Sequence, residues 1–353
     1  MFKPIPLTPL PARPLVSVLI SNHNYEEFLP RAIEGLIAQT YDNWEAIICD
    51  DGSTDGSRSL IERYALSDAR IRAVFQQNGG QSSALNAAYH LSRGQIICLL
   101  DADDEFVAAK IERSVAILRL SVSSGCAIHP VIPISADGKV IGGKLPSALA
   151  NGWVADEALR TGGEVNGLPP TSGLTFRREI AEELFPIPAR LVRCSDGYLK
   201  RTAPIITPIA ALTEPLALYR LHSKNSFGAI RRTPENVESS LKDYWLTVGT
   251  QVEFLRTRYG ETVANELDPR ASISYREKIL AYYLLTGSMP QSALGEDLAQ
   301  LISSLPTKSV RVAWRILLAL PRRVSSLAFV IWQAKYPGKK LLRPLARAVR
   351  LTP

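Results

Sequence analysis

Apolar residues recur along the first hundred positions in two alternating rhythms. Leu15 to Ser21, Trp44 to Cys49, Ile71 to Phe75 and Gln95 to Leu100 are short runs, apolar through most of their length, and predict strands. Between them, Phe28, Ile33, Leu36 and Ile37, then Leu60, Ile61 and Tyr64, then Ala84, Leu85, Ala88 and Leu91 fall at helical spacing, with Asn78-Gly79-Gly80 and Gly94 as breaks. Strands that are apolar on both faces and alternate with amphipathic helices predict an α/β fold, with a mostly parallel sheet covered by helices on both faces. Later, Tyr244-Trp245-Leu246, Val252, Phe254-Leu255 and Tyr282 to Leu285 predict a helical region over 231–306.

Composition narrows the class. A chain of 353 residues with 46% hydrophobic and 21% charged residues buries a large core and is not disordered. Cys49, Cys98, Cys126 and Cys194 are widely spaced, form no C-x-x-C pair, and read as reduced core residues of a cytosolic protein. Residues 1–13 form a Pro-rich extension without a signal-peptide core, and no stretch reaches the roughly 20 apolar residues that span a bilayer.

The net charge of +7 is concentrated at one end. From Lys308 onward there are eleven basic residues and no Asp or Glu, so the rest of the chain is net acidic. Within that tail, over 307–353, Lys308, Arg311, Arg315 and Arg322 recur at helical spacing. They interleave with Val312, Trp314, Ile316, Leu317, Leu320, Phe329 and Trp332. A basic amphipathic stretch with interfacial Trp fits an anionic membrane surface, contacted through 308–350, better than nucleic acid. Pro321-Arg322-Arg323 interrupts it, so neither half spans a bilayer; the competing possibility is a helix pair packed on the protein's own core.

Carboxylates gather where strands end. Asp101-Ala102-Asp103-Asp104 closes the run Ile96 to Leu100, and Asp50-Asp51-Gly52-Ser53 closes the second strand. In parallel sheets, ligands bind beyond the carboxyl ends of strands. Carboxylates crowded there repel one another and lose hydration unless a cation neutralises them, and Mg²⁺ or Mn²⁺ shared with substrate phosphates suits such oxygen ligands. Helix capping by Asp103 or Asp104 is the plainer alternative. Two nucleotide-binding motifs are absent in working form. Ser21-Asn22-His23-Asn24-Tyr25 follows the first strand in place of G-x-G-x-x-G. Gly138 to Lys144 fits G-x-x-x-x-G-K, but Leu145 and Pro146 follow, and the segment reads as a turn between Val131 to Ile134 and Val140 to Ile141.

In order, Val16 to Ser21 with Asn24-Tyr25, Gln39-Thr40-Tyr41, Asp50 to Asp55, Asn78-Gly79-Gly80-Gln81 with Ala84-Leu85-Asn86, and Asp101 to Asp104 together resemble the donor half of glycosyltransferase family 2, the Rossmann-like GT-A fold. The resemblance continues through Pro170-Thr171-Ser172-Gly173, Ser195-Asp196-Gly197 and Tyr219-Arg220-Leu221-His222. It implies a GT-A domain over 14–230 followed by the helical region and tail. It also implies roles. Asn24, Asp50, Asp51, Asp101 and Asp104 would bind the donor; Asp103 and His222 would hold the metal; Thr171, Ser172 and Arg220 would line the acceptor side. Asp196 would be the general base, although by residue type alone it reads as a turn or cap, and Ser195 departs from the family's commoner Glu.

The resulting expectation is a metal-dependent, inverting transferase. It would move a sugar from a nucleotide-diphosphate donor, UDP-linked by family habit, to a saccharide or lipid-linked acceptor in cell-surface or exopolysaccharide synthesis. Its setting would be cytoplasmic, peripheral on the inner face of the membrane. A sugar nucleotidyltransferase and a non-catalytic nucleotide-sugar-binding subunit stay open as alternatives, because fold does not fix function.

Overall fold

The computed structural model describes residues 2–222, 225 and 233–320. Strands and helices alternate as the apolar rhythm predicts: β1 (Val16–Asn22), α1 (Leu29–Ile37), β2 (Trp44–Asp51), α2 (Ser57–Ser67), β3 (Ile71–Gln76), α3 (Gln81–Leu91) and β4 (Ile96–Asp101). β1 pairs in parallel with β2 and β4, and β2 with β3. Val16, Val18 and Ile20 enter one core with Leu29, Ile33 and Leu36 of α1, whereas Leu19, Ile47, Cys49 and Leu99 enter a second core with Leu85 of α3. Burial on both faces is why these strands are apolar at successive positions. Register also aligns the strand ends. Ser21 lies opposite Cys49 on one side and Asp101 on the other, and Asp51 opposite Gln76.

The chain continues through β5 (Glu105–Phe106), α4 (Lys110–Leu120), β6 (Cys126–Ile128), β7 (Val131–Ser135), α5 (Ala155–Arg160), β8 (Leu174–Arg177), α6 (Arg178–Leu184), α7 (Ser195–Ile206), β9 (Ile209–Ala211) and β10 (Ala217–Leu221). The seven-stranded sheet runs β3-β2-β1-β4-β8-β6-β9, with β8 antiparallel to both neighbours, and a smaller sheet runs β5-β10-β7. Gly138 sits in the turn after β7, and Ile134 bridges Val140, so this segment is a turn between extended strands. The Pro-rich extension is tied down: Ile5 N–H donates to the Ile206 carbonyl at 2.8 Å, and the Thr8 side chain to Glu179 at 2.7 Å. Cys49, Cys98 and Cys126 are buried, unpaired core residues, and Cys194 is partly exposed.

The remaining helices are α8 (Pro234–Tyr259), α9 (Glu261–Glu266), α10 (Ile273–Thr286), α11 (Leu298–Ser303) and α12 (Lys308–Ala319). By packing, residues up to 221 and residues 246–268 form one unit. Val248 and Leu255 are buried there, and Gln251 Nε2 donates to the Arg201 carbonyl at 2.7 Å. A second unit takes residues 222–245 and those from 269. In it the Tyr275 ring is tilted against Tyr244 and edge-on to Trp245, at 5.5 and 5.3 Å between ring centroids, and α12 packs on α10 and α11.

That packing corrects part of the membrane expectation. Trp314 and Leu317 of α12 are buried among the protein's own helices, while Val312 stays 41% exposed. An amphipathic stripe buries against any apolar surface, and α10 and α11 supply one. Arg322, Arg323, Phe329, Trp332 and the other tail residues beyond 320 lie outside the described residues. No helix among the described residues is long and apolar enough to cross a membrane. Trp314→Ala is accordingly expected to cost about 3–5 kcal/mol of stability, and Val312→Ser less than about 0.5 kcal/mol. Urea denaturation checks both, and equal, negligible effects would place the Trp314 ring outside the core.

Candidate active site

The first group of predicted residues forms the ends of β1, β2 and β3. Asn22 lies opposite Asp50 in register. Its amide Nδ2 donates to Asp50 Oδ1 at 2.8 Å, and the Ser53 hydroxyl and backbone N–H also donate to Asp50, at 2.5 and 3.2 Å. Asn24, in the left-handed region at φ 59°, uses its carbonyl oxygen to accept from Thr54 N–H at 2.7 Å. Asp51 reaches across to the third loop, accepting from Gln76 Nε2 (2.6 Å), Gly79 N–H (2.9 Å) and Gly80 N–H (2.7 Å). Asn24, Asp50 and Asp51 therefore fix the shape of three adjoining loops. Gly80 can only be glycine: its φ is +86°, and a Cβ would lie 2.6 Å from the Val192 carbonyl. His23, which the sequence does not single out, joins this group, with Nδ1 at 2.9 Å from the Asp51 carbonyl.

The second group surrounds the end of β4. Asp101, Asp103 and Asp104 bring carboxylate oxygens within 4.8 Å of one another, the one such cluster among the described residues. A turn in which Asp104 N–H donates to the Asp101 carbonyl (3.0 Å) folds the three together. Asp104 is wholly buried. It accepts from the Ser172 hydroxyl at 2.6 Å and from Arg220 N–H at 2.9 Å. Ser172 Oγ in turn accepts from Asp101 N–H at 3.2 Å, and Gln81 Nε2 at the start of α3 donates to Asp101 Oδ1 at 3.2 Å.

Arg220 was expected on the acceptor side, and its guanidinium is used differently. It is buried, donates to the carbonyls of Asp103 (2.9 Å) and Ala136 (3.1 Å), and lies 3.6 Å from Glu105. It braces the acidic turn from beneath. Thr171 and Ser172 are likewise committed to Asp101 and Asp104. His222 opens the second unit, where its N–H donates to Asn225 Oδ1 at 2.5 Å.

Charge is the dominant feature of the cluster. Burial first, then repulsion from Asp103 and from Asp196, push the Asp101 carboxyl up to about 8; hydrogen bonding from Thr171 and the charge of Lys200 oppose the rise. Burial and the charges of Asp103 and Asp101 also hold Asp104 well above the usual carboxylate range. Tyr25 and Tyr219 flank the site, their phenols pushed up by burial and then chiefly by Asp103 and Asp104 respectively. Two carboxyls that resist ionisation, with Asp103 beside them as a third hard oxygen donor, are the donor set a divalent cation relieves, so Mg²⁺ or Mn²⁺ fits here.

Asp196 faces this cluster from the first turn of α7. Residues preceding it are pinned to α3: Ser82 Oγ lies 2.7 Å from Ser195 Oγ, Gln81 N–H donates to the Val192 carbonyl at 3.0 Å, and Asn86 exchanges hydrogen bonds with Ile187. Lys200, one turn on, pairs with Asp196 at 2.6 Å. Sequence reading passed over Lys200 and Ser82, and quoted Gln81 in the Asn78-to-Gln81 motif without giving it a role. Only the Asp196-to-Lys200 spacing of four hinted at Lys200, and nothing local marked Ser82.

Comparison with known proteins adds three findings. Residues 17–128 match the family model described as glycosyl transferase family 2. An uncharacterized glycosyltransferase of Nostoc sp. is 35% identical over 271 residues, which cover 74% of this chain and 81% of that one. The Escherichia coli enzyme WfgD, named as a UDP-Glc:alpha-D-GlcNAc-diphosphoundecaprenol beta-1,3-glucosyltransferase, is 33% identical over 105 residues, 30% of this chain and 41% of that one. Among solved structures, S. aureus TarS 1-349 superposes with a TM-score of 0.54 at 14% identity, covering 91% of this chain and 92% of that chain. Its complex with UDP-GlcNAc superposes at 0.51 and 11% identity, covering 89% and 88%.

The acidic cluster makes stability depend on pH with a definite sign. A carboxyl whose folded-state pKa lies above its unfolded value loses stability as it ionises, so chelated protein is expected to weaken from about pH 5 to about pH 8. Asp101→Asn should flatten that slope. Mn²⁺ should raise the unfolding temperature more at about pH 8 than at about pH 5, where it must displace protons. A flat profile in chelator, read by thermal unfolding, would remove the cluster from this role.

Proposed function

Because the chain belongs to glycosyl transferase family 2, we propose that it is a metal-dependent inverting transferase that moves a sugar from a nucleotide-diphosphate donor to a hydroxyl of a saccharide or lipid-linked acceptor. The observation that supports this reading is the cluster of Asp101, Asp103 and Asp104 at the end of β4, with α3 linking Asp101 through Gln81 and the start of α7, which carries the candidate base Asp196, through Ser82. The loops fixed by Asn24, Asp50 and Asp51 frame the nucleoside part of the donor. Asp101, Asp103 and Asp104 would hold Mg²⁺ or Mn²⁺, whose contribution is to neutralise the diphosphate and the charge growing on the departing nucleoside diphosphate. Arg220, Ser172 and Thr171 keep those carboxylates in position. Asp196 takes the proton of the acceptor hydroxyl as that oxygen attacks the anomeric carbon, in line with the leaving diphosphate, which inverts the centre.

Two substitutions divide these roles. Asp103→Asn is expected to abolish most donor turnover together with its metal dependence. Asp196→Asn should keep donor binding at least as tight as wild type and lose about 10²- to 10⁴-fold in transfer, the usual cost of removing a base. UDP-glucose and UDP-GlcNAc, the donors in the names of WfgD and of the TarS complex, are the first to assay. Transfer by Asp196→Asn at the wild-type rate would move the base elsewhere. Release of pyrophosphate in place of nucleoside diphosphate would instead favour a nucleotidyltransferase, and donor binding without turnover a non-catalytic subunit.

We further propose attachment to the inner, anionic face of the cell membrane through the basic stretch 308–350. With the apolar side of α12 occupied, attraction rests on charge, at about 1 kcal/mol for each basic residue near the leaflet. Full-length protein is expected to sediment with anionic vesicles at low salt and to release at high salt, whereas a chain ending at 320 stays folded and unbound. Indifference of the full-length protein to anionic vesicles at low salt would exclude this attachment.

A further inference from the structure

We propose that Lys200 is a ligand of the donor diphosphate and that it exchanges partners, holding Asp196 while the site is empty and phosphate oxygens once the nucleotide sugar is bound. The inference rests on the transferase reading above. Its basis is the geometry of α7. Asp196 and Lys200 stand one helical turn apart on one face, with Oδ2 and Nζ 2.6 Å apart. Their side chains are only 23% and 26% exposed, unlike an ordinary surface pair. The opposite face of the helix is fixed by buried Tyr198, Thr202 and Ile205, and its start by the contact of Ser195 with Ser82. Neither residue is free to swing away with the helix.

Packing sets the start of α7 beside the acidic cluster: Gln81 Nε2 donates to Asp101 Oδ1 at 3.2 Å, and Ser82 Oγ, the next residue, lies 2.7 Å from Ser195 Oγ. Arg220, also near the cluster, donates from its guanidinium to the carbonyls of Asp103 and Ala136 and lies 3.6 Å from Glu105. The ammonium of Lys200 is held by a side chain of the candidate site itself, and a compact ammonium on a flexible stem is suited to phosphate oxygens. A diphosphate entering beside Asp101 brings oxygens that compete with Asp196 for Nζ.

The exchange has a chemical consequence. With Lys200 on the diphosphate, Asp196 Oδ2 is released to accept the proton of the acceptor hydroxyl. The acceptor oxygen then bonds to the anomeric carbon, and the bond from that carbon to the diphosphate oxygen breaks with its electron pair on the leaving group. Donor binding therefore prepares the base, and donor should bind before acceptor.

Titration of full-length protein with UDP and with GDP in the presence of Mn²⁺, by calorimetry, tests the exchange without chemistry. Lys200→Met is expected to weaken the nucleoside diphosphate by about ten- to a hundredfold, the loss of one charge-assisted contact, and Lys200→Arg to retain most of the affinity. Asp196→Asn should tighten binding severalfold when Lys200 is present and not when it is combined with Lys200→Met. Unchanged affinity in Lys200→Met, or equal tightening by Asp196→Asn in both backgrounds, would overturn the exchange and leave the pair a helix-stabilising contact. Wild-type protein that binds neither nucleotide would overturn the transferase reading itself, and the inference with it.

Discussion

The buried carboxylate of Asp104 is the contact on which the rest of the site depends. One oxygen accepts from Ser172, in the turn before β8, and the other from the backbone of Arg220 in β10. Removing either donor would strand a buried acid, which is far more costly than the modest net gain of an ordinary hydrogen bond. Through this one group the end of β4, the approach to β8 and the small sheet are locked together. Asp101 and Asp103 can then crowd at the strand end without the turn opening.

Crowding of like charge is a strain the protein holds for a purpose. Asp101 and Asp104 are each pushed up by burial and by their neighbours, a condition that persists in a fold only where surrounding contacts over-determine it. Arg220 supports the turn through the carbonyl of Asp103 and, from its backbone N–H, through the carboxylate of Asp104.

Helix α3 connects the two sides of the site. Its first residues take the loop fixed by Asp51 on one side, and Gln81, Ser82 and Asn86 hold the segment leading to Asp196 on the other. The loop fixed by Asp51 and the segment leading to Asp196 are therefore held by one helix. Sites built on rigid elements hold their geometry better than sites built on independent loops.

The sequence by itself determined the repeating strand and helix order, the burial of the sheet on both faces and the level at which Asp50, Asp51 and Asp101 to Asp104 emerge. Each of these depends on periodicity along a single strand or helix, a property local to the chain. Only the tertiary structure decided what those side chains touch. Arg220, expected to line the acceptor side, braces the acidic turn, because β10 brings it to the Asp103 carbonyl. Trp314 looked like a membrane anchor and became core, because an apolar stripe does not specify which apolar surface it meets. Lys200 was marked only by its spacing of four from Asp196, and Ser82 by nothing local. Their importance arises from α7 and α3 meeting across more than a hundred residues of chain, and pairings between distant segments are fixed by packing rather than by any pattern within either segment.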